Sequence, residues 1–313
     1  MRQQPDIISA ARQATANLSN EDVARIIGNA VIVLSAPRSG STLLYEQLAR
    51  SGPYWSIGGE SHAVFRAFPS LRAENLQLDS MALGAGHATA ETCDLMRRCF
   101  LCFLRNQQGV PYLALPPKNR PQSVCFLEKT PRNALNIAFM LKVFPNARFI
   151  YLHRDPRETV SSLIEAWTVG LQTGRFVTFR DLPNWPLAGW CFLLPRGWRE
   201  MCGKSLAEIA AFQWVASNLA IIEGLESLDA NRFTTINFSS LISDPAAALT
   251  HINLALGFEG SIPHIPAGTM PLSRTTVSPP HPDKWKRHEI EIRSLWPPLS
   301  AAKAKIDAFC ASV

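Results

Sequence analysis

Short apolar runs recur along the chain, and each one stops at a group of small, charged or proline residues. A fourth strand is predicted at residues 232–237, and the clearest apolar runs lie at 31–34, 123–128 and 148–152. Their side chains do not alternate between polar and apolar, as expected of strands buried on both faces of a parallel sheet. Helical patterns separate the runs, so the sequence predicts an α/β fold, with a mostly parallel central sheet flanked by helices.

Helical patterns fill most of the remaining chain. One or two helices are expected before residue 29, with Ser19 or Asn20 as a cap. Further helices are predicted at residues 43–51, 91–107, 133–143, from 156 onward, 205–225 and 245–256. Glu208 and Asn218 interrupt the most apolar of these segments, which indicates a core helix rather than a membrane span.

The length and composition indicate a globular chain, with 313 residues of which 47% are hydrophobic and 18% charged. We predict one domain over residues 1–313, in which 63–122 and 165–204 are insertions that frame an acceptor pocket or form a lid. The second insertion is rich in tryptophan. Its rings either suit a ring-containing acceptor or pack the insertion onto the core, and residues 170–176 within it are predicted to form a hinge.

The charge and the cysteines narrow the function classes. The formal charge of +6 is not gathered into a Lys/Arg run, so a cleft for a small polyanion is expected rather than a nucleic-acid partner. Met1 to Asn20 lack an apolar signal segment, and seven cysteines, an odd number, indicate reduced thiols and a cytoplasmic location. Cys99 and Cys102 form a C-x-x-C without a second pair at finger spacing, which favours buried thiols over a zinc site.

The first apolar run leads into Ser-Ala-Pro-Arg-Ser-Gly-Ser-Thr, which predicts a strand, an anion-binding loop and a helix. Gly40 lets the backbone approach a ligand, and Thr42 lies in the first turn of a helix whose free N–H groups favour an anion. A triphosphate loop would need glycine at position 35 and lysine at position 41. The chain has Ser35 and Ser41 there, and its one cation is Arg38, inside the loop.

The form P-R-S-G-S-T-L-L resembles the 5′-phosphosulfate loop of sulfotransferases that use 3′-phosphoadenosine 5′-phosphosulfate (PAPS), in the bacterial and tyrosylprotein-type branch. The resemblance implies a P-loop-like sulfotransferase fold. It also implies that the side chains and backbone of residues 38–42 bind the phosphosulfate: Arg38, Ser39, Gly40, Ser41 and Thr42.

A second motif, His-Arg-Asp-Pro-Arg, follows the predicted strand at residues 148–152. Arg154 and Ser162, eight residues apart, are similar to the family's clamp for the 3′-phosphate. A guanidinium fits a dianionic phosphate with two hydrogen bonds, and a helix hydroxyl adds an oriented donor. The alternative is that Arg154 and Asp155 form only a helix-capping pair.

Lys129 ends another predicted strand, and in relatives the matching lysine contacts the sulfuryl group. The hormone-type enzymes place their catalytic histidine two residues later, where this chain has Pro131. In the resembling branch the proposed base is a glutamate just over twenty residues after the loop arginine. Glu60 lies at about that place, with His62 as the neighbouring candidate. We expect their loop to follow a strand that lies beside the first one.

Two further segments resemble nucleotide-binding parts of the family. Phe238 stands where relatives have a tyrosine near the adenine. Near the C-terminus, Lys284, Trp285 and Lys286, together with Arg274, resemble a tail that closes over the 3′-phosphate. A solvated basic tail is the alternative for this last segment.

These resemblances imply direct in-line transfer of a sulfuryl group from PAPS to an acceptor hydroxyl, with an amine as the alternative. The product would be 3′,5′-adenosine bisphosphate, and no metal is required. The acceptor would be a small molecule or a carrier-tethered group, and the oligomeric state stays open. A P-loop-type nucleotide kinase and a non-catalytic nucleotide-binding relative are the competing hypotheses.

Overall fold

Five parallel strands form the central sheet. The computed structural model describes residues 6–258 and 271–312. The strands are β1 (Asn29–Leu34), β2 (Tyr54–Ser56), β3 (Cys125–Lys129), β4 (Arg148–His153), β5 (Val177–Phe179), β6 (Trp190–Cys191) and β7 (Phe233–Asn237). The sheet order is β2-β3-β1-β4-β7, and β5 and β6 form a separate antiparallel pair. The predicted α/β class with a mostly parallel sheet is confirmed.

Helices flank both faces of the sheet. They are α1 (Ile7–Ala14), α2 (Asn20–Ile27), α3 (Ser41–Ser51), α4 (His62–Ala67), α5 (Ala90–Phe103), α6 (Ile137–Val143), α7 (Pro156–Thr173), α8 (Leu206–Glu226), α9 (Phe238–Ser243), α10 (Pro245–Ala255), α11 (Glu289–Ser294) and α12 (Trp296–Ala311). Among the helices of residues 6–258 and 271–312, none is both long enough and apolar enough to cross a membrane.

The central strand shows why its sequence carries no polar alternation. Ile32 and Leu34 belong to the core that α5, α6 and α8 cover, whereas Val31 and Val33 belong to the core beneath α3 and α10. Both faces of β1 are therefore buried. The loops that follow β1, β3 and β4 meet at the carboxyl edge of the sheet, where ligands bind in open α/β folds.

The strand before Glu60 is displaced from its expected place. We expected it beside β1, but β3 lies between them and β2 forms the edge of the sheet. Ser56 and Arg105 exchange backbone hydrogen bonds of 2.8 and 3.0 Å across this edge. The short strand is thereby covered by the chain that follows α5, a pairing for which the sequence gives no local signal.

Two predicted helices differ in their bounds. The helix expected at residues 133–143 is divided, because a 3₁₀ turn at Pro131–Leu135 stops at Asn136 and α6 begins after it. The buried side chain of Asn136 accepts a hydrogen bond from the Leu83 N–H at 2.8 Å. The helix expected at 91–107 ends at Phe103, where the chain turns to pair with β2.

The second insertion, residues 165–204, begins with regular helical structure. Its first residues continue α7 as far as Thr173, and the proposed hinge therefore begins inside a helix. A side chain at Gly170 would lie 2.5 Å from the Cys191 sulfur, so this glycine serves close packing. Gly174, with φ of 78°, ends the helix.

The tryptophans of this insertion pack inward. Trp167, Trp190 and Trp198 are fully buried. Trp185 lies against all three, with ring centroids 4.9 to 6.4 Å apart. Of the two roles considered for the tryptophans, these rings therefore pack the insertion onto the core.

Candidate active site

The loop between β1 and α3 is built to hold an anion. Its backbone turns sharply, with φ of 67° at Arg38 and 97° at Gly40. The first-turn N–H groups of α3 have no intrahelical partner. The buried hydroxyls of Ser35 and Ser39 make no hydrogen bond within the described residues. An anionic group would satisfy such donors, so the residues present fit the 5′ end of the expected nucleotide.

Gly40 is required by its neighbour as well as by its conformation. A Cβ atom at this position would lie 2.2 Å from the ring of Phe238. The same ring also packs against Arg154, whose guanidinium carbon lies 4.2 Å from the ring centroid. Phe238 therefore contacts both the anion loop and the second cationic position.

The structure brings together Arg38, Arg154 and Ser162, which are distant in sequence. Nε of Arg38 lies 3.3 Å from the Ser162 hydroxyl, and Nη1 of Arg154 donates to the Arg38 carbonyl at 3.3 Å. Nε of Arg154 also donates to Glu158 at 2.8 Å. Arg154 does not form the alternative pair with Asp155, because Asp155 binds Arg157 at 2.9 Å instead.

Arg38 is held from several sides. Its Nη1 donates to the Thr275 carbonyl at 2.9 Å. Burial lowers its pKa to about 10, and the charges of Arg175 and Arg154 act in the same direction. The guanidinium thus stays charged at neutral pH, in a setting that favours an added anion.

Lys129, Glu60 and His62 form a contiguous group beside the loop. Lys129 is 1% exposed. Its ammonium donates to the Thr42 hydroxyl at 3.0 Å and also to Glu60. The other oxygen of Glu60 lies 3.0 Å from His62 Nε2. The residues that were expected from two separate strands therefore meet, despite the displaced β2.

The environment of Glu60 makes it a strong acid in this state. Burial raises its pKa, but the hydrogen bond with His62 and the charge of Lys129 outweigh burial and bring the pKa down to about 2. Such a carboxylate is a weak proton acceptor for as long as Lys129 holds it.

A buried network that the sequence interpretation missed lies beneath this group. Glu128 is 0% exposed. It accepts hydrogen bonds of 2.6 Å from the hydroxyls of Ser61 and Thr130, and a third from Asn133. Thr130 in turn accepts from the Ser61 N–H at 2.8 Å. Because Ser61 lies between Glu60 and His62, this network fixes their loop. The sequence signal for this network was Glu128 itself, since a carboxylate inside a buried strand needs hydrogen-bond donors around it.

The C-terminal tail contacts the site differently from the expectation. Lys284 pairs with Glu165 at 2.7 Å, and Lys286 pairs with Asp283 at 2.9 Å. Trp285 packs under the guanidinium of Arg157, 5.2 Å from ring centroid to carbon. The three tail residues thus contact carboxylates and an arginine rather than the clamp itself.

Two contacts nevertheless bring the tail close to the site. Glu165 is one helical turn beyond Ser162 on α7, which places Lys284 near the clamp. Arg274 donates to the Gly58 carbonyl at 3.0 Å, beside the loop that carries Glu60.

Metal and thiol chemistry have no evident centre in the described ranges. Residues 6–258 and 271–312 contain no group of three His, Cys, Asp or Glu side chains placed to hold a metal ion. Cys99 is buried, and burial raises its pKa to about 12. Cys99 is therefore an inert core thiol, whereas Cys102, the other member of the C-x-x-C pair, is half-buried.

Comparison with known proteins gives a family-level match. The sequence model of the family described as "Sulfotransferase family" matches residues 30–261. No curated protein sequence matches the chain.

Several solved structures are similar. The sulfotransferase domain from the curacin biosynthetic pathway is 21% identical, with 74% of each chain covered and a TM-score of 0.42. A sulfotransferase from Alicyclobacillus acidocaldarius is 14% identical over 88% of this chain and 95% of its own, with a TM-score of 0.46. A mouse sulfotransferase complexed with PAP is 14% identical over 80% and 67%, with a TM-score of 0.34.

Proposed function

Because the chain belongs to the sulfotransferase family, we propose that it transfers a sulfuryl group from PAPS to an acceptor hydroxyl, with an amine as the alternative. The observation that carries the proposal is the meeting of Arg38 with Ser162 and Arg154, 124 and 116 residues away in sequence. An anion loop beside a second cationic position suits a donor with a phosphosulfate at one end and a 3′-phosphate at the other.

The chain supplies fixed positive charge where the transfer takes place. Arg38, Lys129 and the backbone N–H groups of residues 39–42 would stabilise the sulfuryl oxygens and the leaving oxygen. Lys129 suits this role because it is buried, and Thr42 holds its ammonium at 3.0 Å. PAPS, when bound, supplies the activated sulfur. In the in-line step the acceptor oxygen would bond to sulfur while the bond between sulfur and the bridging phosphate oxygen breaks, which releases 3′,5′-adenosine bisphosphate.

The Glu60–His62 pair would take the proton of the acceptor. The hydrogen bond with His62 and the charge of Lys129 lower the pKa of Glu60 in the structure. When PAPS is bound, the sulfuryl oxygens would share the charge of Lys129, so its effect on Glu60 weakens and the pKa of Glu60 rises toward a range suited to a base. In the alternative, His62 takes the proton and Glu60 orients its ring.

The acceptor enters between the two insertions in this proposal. Residues 63–122 and 165–204 flank the Glu60 loop and the Arg38 loop and would frame a small or carrier-tethered acceptor. Trp167, Trp190 and Trp198 are fully buried, so these three rings would not contact the acceptor.

The clamp is tested by calorimetry with two nucleotides. Wild type should bind 3′,5′-adenosine bisphosphate about a hundredfold more tightly than 5′-AMP, since a buried guanidinium–phosphate contact contributes about 3 kcal/mol. Arg154→Ala should abolish the difference between the two. Arg157→Ala is the matched control, because this neighbouring arginine pairs with Asp155 instead. Equal affinities in wild type would refute the clamp.

Turnover is tested by an acceptor screen with isotopically labelled PAPS. Mass spectrometry should find an acceptor with one added sulfonate group and no dependence on added Mg²⁺. Arg38→Ala should lower kcat far more than it weakens nucleotide binding. A Mg²⁺-dependent transfer from ATP would instead establish the kinase hypothesis.

A further inference from the structure

Three strained residues meet at the proposed site. Non-glycine residues with positive φ are uncommon, and they cluster where a structure holds functional groups in place. The described residues of this kind are Arg38, Gln77, Leu78, Phe176, Asn184 and Phe192. Arg38, Phe176 and Phe192 have φ of 67°, 69° and 64°, and they form one column of side chains, which we call the arginine stack.

The arginine stack is ordered by direct contacts. The guanidinium carbon of Arg38 lies 5.5 Å from the ring centroid of Phe176. The ring of Phe176 stacks on that of Phe192, with centroids 5.2 Å apart and planes inclined by 27°. The Phe192 N–H donates to the Phe176 carbonyl at 2.9 Å, which joins their backbones. Both rings are half-buried against the tryptophan-rich core.

The charges around Arg38 explain why a ring is useful there. Arg154 and Arg175 both lie close enough to depress its pKa. Arg175 also lies over Phe176, with its guanidinium carbon 4.7 Å from the ring centroid. The electron-rich ring face attracts both guanidinium groups and offers no hydrogen-bond acceptor that would draw the N–H groups of Arg38 away from an anion.

We propose that Phe176, supported by Phe192, is a positioning residue for Arg38 in the sulfuryl transfer proposed above, on which this inference rests. The left-handed backbone at Phe176 turns its ring out of the hairpin and under Arg38. The ring then keeps the guanidinium against Ser162 and Thr275, which accept from Nε and Nη1, and leaves Nη2 to donate to the 5′ group of the nucleotide.

The test separates the two ends of the nucleotide. Calorimetry measures the affinities for 3′,5′-adenosine bisphosphate, 3′-AMP and 5′-AMP. The affinity for the bisphosphate divided by that for 3′-AMP is the 5′ ratio, which reports the 5′-phosphate. The same affinity divided by that for 5′-AMP is the 3′ ratio, which reports the 3′-phosphate. Phe176→Leu should reduce the 5′ ratio about tenfold, because leucine keeps apolar bulk but has no ring face. The 3′ ratio should stay within twofold, and Phe176→Tyr should restore the 5′ ratio.

A matched control distinguishes positioning from packing. Phe179→Leu makes the same change on β5, at a ring buried in the tryptophan-rich core, and should leave both ratios unchanged. With an identified acceptor, kcat of Phe176→Leu should fall about tenfold in parallel with the 5′ ratio. An unaltered 5′ ratio in Phe176→Leu, or an equal loss in Phe179→Leu, would overturn the proposal. The calorimetric ratios can be measured without catalysis. A wild type that binds the nucleotides but transfers no sulfuryl group would therefore refute the proposed function, while the ratios would still test the positioning of Arg38.

Discussion

Glu60 shares its two oxygens between a buried cation and an imidazole, which makes it the residue on which the proton transfer depends. Glu60→Gln should lower kcat by about a hundredfold or more, the size expected for loss of a general base, with nucleotide affinity close to that of wild type. The measurement is steady-state kinetics at saturating donor. Full activity in Glu60→Gln together with an inactive His62→Ala would assign the base to His62.

The same carboxylate should influence stability at acidic pH. Its pKa falls from the ordinary 4.5 to about 2 on folding, so the ionised form stabilises the native state above pH 4.5. This contribution is lost as pH falls from 4.5 to about 2. Urea unfolding across that window should show wild type losing stability relative to Glu60→Gln. Parallel pH curves for the two proteins would contradict the ion pair with Lys129.

Glu128 should show the opposite pH dependence. Burial raises its pKa, although hydrogen bonds from Ser61 and Thr130 oppose the change. The native state therefore holds the proton more tightly, and stability falls as pH rises above the ordinary pKa of 4.5. Glu128→Gln should remove this fall in urea unfolding. Glu128→Leu should cost at least about 2 kcal/mol, because it leaves buried donors unpaired.

At the scale of elements, uniform sequence patterns predicted well and long-range pairings did not. Residues 30–34 of β1 and 149–152 of β4 are apolar and buried, so their place in a parallel sheet followed from their residues. Ser205, with Glu208 three residues later, forms the capping box that starts α8 near its predicted position. The edge position of β2 depends on its pairing with β3, and Arg105, nearly fifty residues later, covers its free edge. No local pattern encodes either pairing.

The site divides in the same way. Lys129 ends a buried strand, Arg38 and Arg154 lie in the loops after two others, and Ser162 lies on the helix that follows β4. The sheet topology therefore brings them to one edge. The arginine stack and the network around Glu128 arise from side-chain packing between segments that are distant in sequence, and neither has a sequence motif. The partner of Lys284 was likewise hidden, because Glu165 reads only as a polar position on α7.

The tail at residues 273–288 is tied to α7 by one carboxylate. Glu165 accepts from Ser278 at 3.0 Å, and it pairs with Lys284 at 2.7 Å and Arg287 at 3.2 Å. Glu165→Gln should speed hydrogen exchange of the tail amides, while exchange in the central sheet stays unchanged. Asp283→Asn, which removes only the local pair with Lys286, is the matched control. Equal exchange rates in both variants would show that Glu165 does not hold the tail.

At the scale of the whole molecule, the two ends of the chain complete one core. Ala11 of α1 and Phe309 of α12 belong to the same buried cluster. The ring of Phe309 stacks on Phe233, with centroids 5.5 Å apart. The C-terminal helices went unpredicted because the apolar residues of α12 lie among many alanines, so its pattern is weak.

This closure predicts a contrast between neighbouring helices. Leu299→Ala removes a fully buried side chain of α12 and should lower the free energy of unfolding by about 2–5 kcal/mol in urea titration. Ile290→Ala removes a side chain that is 84% exposed and should change it by less than about 0.5 kcal/mol. Similar losses in both variants would mean that α12 does not share the core.

The ring of Phe238 has a consequence for the choice of donor. It touches the position that a side chain at Gly40 would occupy and also lies under Arg154, so a rigid benzene ring sets the spacing between the two anion-binding positions. In the proposed binding mode, a ribose isomer that carries its phosphate on the neighbouring 2′ carbon would present its charge one atom away from the guanidinium. The protein would therefore discriminate between phosphate regioisomers by a built-in spacer, whichever acceptor it serves.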